Sequence, residues 1–162
     1  MLAAEENKAL YHRFIGEAVN QGNIETIEEL IAPNYVNYNF PSVESGPKSM
    51  EPARGPEGMK ELISMFRTAF PNMRATPEQV FAEGDTVISR GLWEGTHEGV
   101  FQGVLPTSAQ VRVPYIDIWR IEDGKFVETW MQMDMLSLTQ QIGIFPQHPS
   151  TGGGGKQTPS VS

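Results

Sequence analysis

The hydrophobic period of this chain changes once, at Pro71, and that change limits what the chain can fold into. Before Pro71 apolar residues recur at three-to-four spacing; after it they recur at two. Within residues 4–20, Leu10, Phe14, Ile15 and Val19 share one helical face, and Gln21–Gly22 ends the run. Asn23 is placed to cap a short second helix whose apolar side is Ile24, Ile27, Leu30 and Ile31, with Pro33 as its stop. YVNYNF, 35–40, reads as extended, and the Pro-, Ser- and Gly-bearing 41–55 as a loop. Pro56 opens a third helix at a position where its missing N–H costs nothing; Met59, Leu62, Ile63, Phe66 and Phe70 form its stripe. Residues 75–83, 86–97, 110–121 and 126–134 then read as four strands, with turns at EGD (83–85) and EDGK (122–125), and a short helix near 135–142.

Helices first and antiparallel strands afterwards predict an α+β fold. A strongly curved antiparallel sheet, a cone-shaped half-barrel, wraps around the N-terminal helices and leaves an apolar cavity suited to a small molecule. One domain is expected over 1–146. Residues 147–162 are rich in Gly, Pro and Ser, and a disordered tail is expected there.

The composition removes several functions. Net charge is −8, with no basic cluster, which argues against nucleic acid and against anionic membrane surfaces. No apolar run reaches eighteen residues and MLAAEENK is too polar for a signal peptide, so a cytoplasmic protein is expected. There is no cysteine, and His12, His97 and His148 lack metal-ligand spacing; no metal and no cofactor are expected. The Gly152–Gly155 run lacks the flanking strand and helix of a phosphate loop.

The chemistry centres on YIDIWRIEDGKFVETWMQMD, 115–134, where Asp117 stands between two isoleucines. The turn sets which faces coincide. A two-residue Asp123–Gly124 loop pairs Ile121 with Phe126; a type I turn with a Gly124 bulge pairs Ile121 with Lys125. The bulged register puts Tyr115, Asp117 and Trp119 on one face with Val127, Thr129, Met131 and Met133. Arg112, Arg120, Glu128, Gln132 and Asp134 then lie on the other, with Ile116, Ile118, Phe126 and Trp130. This separates charge better, so the first face is taken as the cavity wall. Burial in such a wall raises the pKa of Asp117, which makes it a strong general base or a protonated hydrogen-bond donor. The plainer alternative is a structural Asp held by a backbone N–H, Arg112 or Arg120.

GTHEGVFQGVLPTSAQVRVPYIDIWRIEDGKFVETWMQMDMLSLTQQIG, together with APNYVNYN and GPEGMKELISMFRTAFPN, resembles the SnoaL-like polyketide cyclases (ester cyclases), in the nuclear-transport-factor-two-like superfamily. The likeness runs over about 5–144. It implies that Asn37, Tyr115, Asp117 and Met131 face the cavity. At the position of Asp117 the cyclases commonly carry His, and steroid isomerases of the superfamily carry an oxyanion-binding Asp. Asn37 matches a pocket Asn of the cyclases and the Asp base of the isomerases, and His97 matches the GTHxG histidine. Ring-closing aldol cyclases carry an Asp base where this chain has Met131, and a thioether accepts no proton at neutral pH. The resemblance therefore leaves Asp117, His97 and Asp134 as catalytic candidates, with capping of the following helix the plainer role for Asp134. Asn37, Tyr115, Trp119, Thr129, Met131 and Met133 are the substrate-binding candidates.

The function expected is cofactor-free acid/base chemistry, cyclisation or isomerisation, on a hydrophobic carbonyl compound of polyketide-like or terpenoid-like secondary metabolism. A non-catalytic binder with the same cavity is the alternative. A homodimer through the outer sheet face is compatible with both.

Overall fold

The computed structural model describes residues 2–41 and 51–143, and the expected tail at 147–162 and His148 lie outside them. Helix α1 (Leu2–Arg13) continues as a π-helix over Phe14–Asn20 and is followed by α2 (Glu25–Leu30). Strands β1 (Ile31–Pro41) and β2 (Pro52–Arg54) precede α3 (Gly55–Ala69). Then come β3 (Arg74–Glu83), β4 (Thr86–Thr96), β5 (Gln110–Glu122), β6 (Lys125–Met133) and α4 (Met135–Gln141). The six strands form one curved, unclosed sheet in the order β2-β1-β6-β5-β4-β3, packed against the helices.

The expected α+β layout is present, with local differences. The sheet is not wholly antiparallel: β1 runs parallel to β6. A parallel pair needs a long crossover, and the chain from α3 through β5 supplies it. Pro52–Arg54, expected within a loop, pairs with β1. Ile31 opens β1 instead of closing α2; buried at its junction with β6, it serves the core equally well from a strand. Asn23 offers α2 no side-chain cap; its backbone carbonyl accepts from Thr26 N–H at 3.3 Å.

Period two is carried through in β5, where Val111, Val113, Tyr115, Asp117, Trp119 and Ile121 are buried and their neighbours are half-buried or exposed. The core is aromatic at its centre. Trp119 meets Phe126 with ring centroids 4.7 Å apart and Phe14 at 4.9 Å, so sheet and first helix interlock. The end of the π-helix is fastened to the sheet. Asn20 Nδ2 donates to the Ala75 carbonyl at 2.9 Å, and Ala75 N–H donates to Asn20 Oδ1 at 2.7 Å. Arg67 Nη2 donates to the Asn20 carbonyl at 3.0 Å, one of the acceptors a helix end leaves open.

Candidate active site

The β5–β6 hairpin determines which side chains reach the interior, and its turn is the tight one. Asp123 (φ 50°) and Gly124 (φ 73°) are both left-handed, as a type I′ two-residue turn requires, and Ile121 pairs with Phe126. The bulged turn expected from EDGK is not formed. The register shifts one step further in, between Arg120 and Ile121, so that Val127 is an extra residue on β6. Beyond it Trp119 pairs with Thr129, Asp117 with Met131 and Tyr115 with Met133. The displaced bulge restores the expected faces, with each pair shifted two residues along β6 from the bulged-turn register. It also turns Phe126, expected on the outer face, into the core beside Val127.

A cavity of about 70 Å³ lies between this wall and the helices. Phe14, Ile15 and Val19 come from the π-helical segment, Met59, Leu62, Ile63 and Phe66 from α3, and Met73, Ala75 and Trp93 from the β3–β4 side. The sheet adds Asn37, Tyr115, Asp117, Trp119, Met131 and Met133. Asp117 is the one charged residue type among these lining residues. Four methionines supply a wall that can reshape around a flat ligand.

Asp117 is fully buried, and burial pushes its carboxyl up from 3.8 to about 7. The Trp119 indole N–H and the Tyr11 hydroxyl oppose that rise. Tyr11 Oη donates to the carboxylate at 3.2 and 3.3 Å from its two oxygens, and stands 3.4 Å from Tyr115 Oη. The indole Nε1 is close enough to act on the charge without reaching hydrogen-bond geometry. The arginines that offered a structural role are engaged outside: Arg120 with Glu122 and Glu128, Arg112 with Glu94. No cation neutralises Asp117 among the described residues that line the cavity.

Ser89 lies opposite Asp117 on β4, buried, its hydroxyl near both phenols. Asn37 enters from β1 beside Thr129, and its Oδ1 accepts from Asn39 N–H at 3.3 Å. Thr129 itself is buried behind the lining, next to the Tyr35 hydroxyl, and does not border the cavity.

Two catalytic candidates lie elsewhere. His97 is fully buried beneath the β4–β5 connection, its ring 5.4 Å from that of Phe70 and its Nδ1 2.9 Å from Thr107 Oγ1. It is not among the lining residues, because β4 ends at Thr96 and the chain turns away there. Asp134 is exposed and accepts from Ser137 N–H at 2.9 Å as the cap of α4. Tyr11 and Ser89 join the site without any motif to mark them in the sequence. Tyr11 shares the helical face of Phe14, Ile15 and Ala18 at i+3, i+4 and i+7, and Ser89 shares the inward phase of Val87 and Trp93, so both could be found from periodicity. Among the described residues no cluster of His, Asp and Glu is arranged to hold a metal, and no helix is long and apolar enough to cross a membrane.

The family model for SnoaL-like polyketide cyclases matches residues 9–142. The chain belongs to this family. Among solved structures it is similar to TsrD from Streptomyces laurentii, at 28% identity and TM-score 0.74 over 87% of this chain and 97% of that one. It is similar to IdmH from Streptomyces antibioticus, a proposed polyketide cyclase, at 31% identity and TM-score 0.72 over 85% and 98%. AclR from Streptomyces galilaeus, a proposed hydroxylase, matches at 28% identity and TM-score 0.74 over 88% and 99%. No curated protein matches the sequence. One fold thus carries more than one proposed reaction, and the residues of the cavity have to carry the argument for this member.

Proposed function

We propose that this family member catalyses cofactor-independent proton transfer, as a cyclase or isomerase, on a neutral hydrophobic compound carrying an enolisable carbonyl group. The observation that supports it best is Asp117, buried in an apolar cavity with no counter-cation among the described lining residues and with its carboxyl held at about 7. Such a group exchanges a proton readily at neutral pH. Ionised, Asp117 would remove a proton from the carbon beside the carbonyl. Asn37, on the same wall, would orient the carbonyl oxygen, and Tyr115 would stabilise the charge that develops on it as Asp117 becomes protonated. With Met131 opposite, Asp117 takes the base role itself.

The substrate is an expectation from cavity chemistry: a polyketide-like or terpenoid-like ring system. The reading is tested with a fused-ring ketone, 2-tetralone, by NMR of α-hydrogen exchange in D₂O. Exchange above the buffer rate in the wild type, lost in Asp117→Asn, supports it. Tight binding of the ketone with no exchange would favour the second reading, a non-catalytic binder, which Met131 at the position of the relatives' base makes worth keeping.

A homodimer is also proposed. Phe81, Ile88, Ile118 and Trp130 stand in register across β3 to β6 on the outer face, and Tyr38 stacks on Trp130 with centroids 5.1 Å apart. Paired charges border the row, Arg120–Glu128 on one side and Arg90–Glu78 on the other. An apolar centre with a polar rim of both signs suits a second copy of the same face.

A further inference from the structure

The Tyr11 hydroxyl touches Asp117 from outside the cavity and also reaches Tyr115, which lines it. Asp117 and Tyr115 are two residues apart on one strand face, about 7 Å along the strand, and each bonds Tyr11 rather than the other. Tyr11, fully buried on the helix side, joins them. The opposite strand makes room for this. Gly91 pairs with Tyr115, and a Cβ there would lie 2.8 Å from Tyr115 Oη and 2.3 Å from the Thr76 carbonyl oxygen.

We propose that Asp117, Tyr11 and Tyr115 form a reversible hydroxyl chain that returns the proton taken from the substrate carbon to the substrate oxygen. The proposal rests on the reading of Asp117 as the proton-transfer group. With Asp117 ionised, Tyr115 donates to Tyr11 and Tyr11 donates to the carboxylate, so Tyr115 offers the cavity only an acceptor. Asp117 then takes a proton from the α-carbon; the C–H bond breaks and its electron pair moves into the carbonyl, leaving an enolate oxygen. The carboxyl is now a donor, and the two hydroxyls reverse. Tyr115 gives its proton to the enolate oxygen, Tyr11 gives its proton to Tyr115, and Asp117 gives its proton to Tyr11. One C–H bond is broken, one O–H bond is made, and all three side chains end as they began. Tyr11 is a positioning residue that acts through the other two.

The titratable groups facing Asp117 are Tyr11 from α1, Tyr35 from β1 and Tyr115 from its own strand, and Glu78 of β3 acts on Tyr115. Burial raises all three phenols, so the chain works through neutral hydroxyls and a concerted shift.

The test is a mutant cycle on the Asp117 titration, followed by carboxyl ¹³C NMR in ligand-free protein, with Asp117→Asn to assign the signal. Tyr11→Phe keeps the ring against Trp119 and should raise the Asp117 pKa by about one unit. Tyr115→Phe should raise it by about half a unit through Tyr11. In a Tyr11→Phe background Tyr115→Phe should shift it no further. An equal Tyr115→Phe shift in both backgrounds, or none in either, overturns the chain. In the 2-tetralone assay, Tyr11→Phe should lower exchange roughly 10- to 100-fold at unchanged ketone affinity. Unchanged exchange in Tyr11→Phe, with exchange lost in Asp117→Asn, removes the chain and leaves the acid/base reading. Full exchange in Asp117→Asn removes that reading, whatever the titration cycle shows.

Discussion

Asp117 and Met131 stand directly opposite each other on β5 and β6, both facing the cavity. Directly paired side chains have Cβ atoms about 4.5–5.5 Å apart. Met131→Asp would therefore place two carboxyl groups side by side in an apolar wall, where they share one proton. The expected outcome is a rise of Asp117 well above 7 and a turnover at pH 7 lowered by about tenfold or more. The pH–rate profile checks it: the rising limb should move to higher pH, and turnover at pH 9 should recover part of the loss.

The second prediction concerns stability. The Asp117 carboxyl is raised in the folded state, from 3.8 to about 7. The folded form therefore holds the proton more tightly than the unfolded chain. The associated stability is complete below about pH 4 and is lost as pH rises through about 7, an effect of roughly 4 kcal/mol by linkage. Wild-type Tm should fall between pH 5 and pH 8. Asp117→Asn removes the titration and should flatten that slope, melting higher than wild type at pH 8. An unchanged slope in Asp117→Asn would assign the pH dependence to other groups.

The hairpin shows how far sequence reading reaches. Alternation fixed the faces of β5, because one charged residue among the inward positions is a strong pattern. The turn did not follow from EDGK, since Asp–Gly suits both a type I′ loop and a bulged turn, and the choice depends on where the sheet takes up its twist. The sheet takes it up at Val127, and two one-residue changes preserve the faces, though not the individual pairs, while turning Phe126 inward. Asp117, Tyr115, Asn37, Trp119, Met131 and Met133 were readable because each lies on a strand with clear period two or on a family motif. Tyr11 was harder. Its partners are 104 and 106 residues away, and only the packing of α1 across the sheet brings them together. His97 stands in a motif, yet the motif carries no information about which side of Phe70 its ring occupies.

The third prediction tests the outer row. If Phe81, Ile88, Ile118, Trp130 and Tyr38 pack against a second copy, Trp130→Glu should shift the protein to monomer while leaving the cavity intact. Trp130 is 39% exposed and points away from Asp117, so 2-tetralone affinity should change by less than about twofold, within the ±0.5 kcal/mol of a surface substitution. Sedimentation velocity at micromolar concentration checks both proteins. A monomeric wild type would end the homodimer proposal.

The fourth prediction separates His97 from the chemistry. Its ring is enclosed by Phe70 and held by Thr107, and its backbone N–H and carbonyl bond Ala109 and Ser108. The residue thus fastens the β4–β5 connection from within. His97→Ala should remove that packing and cost about 1–3 kcal/mol in stability. In the protein that remains folded, Asp117-dependent exchange should persist with the same pH profile. A profile that loses one limb in His97→Ala would return His97 to the catalytic set.

The last prediction assigns Asp134. The carboxylate accepts from Ser137 N–H at the start of α4, a helix of only seven residues. So short a helix is marginal alone and depends on its cap and its docking. The docking is visible: Leu138 is buried, Gln141 Nε2 donates to the Arg112 carbonyl at 3.1 Å, and Gln141 Oε1 accepts from Arg112 N–H at 2.9 Å. Removing the cap should therefore loosen α4 and the end of β5 it covers, while Asp117, Tyr11 and Tyr115 keep their places. Asp134→Ala should cost about 1 kcal/mol, and Asp134→Ser, which can still cap, much less. Thermal melts of both variants measure the cap, and 2-tetralone exchange measures the chemistry. Equal exchange in both, with a lower Tm only in Asp134→Ala, identifies a cap; exchange lost equally in both would make the carboxylate a participant in the reaction.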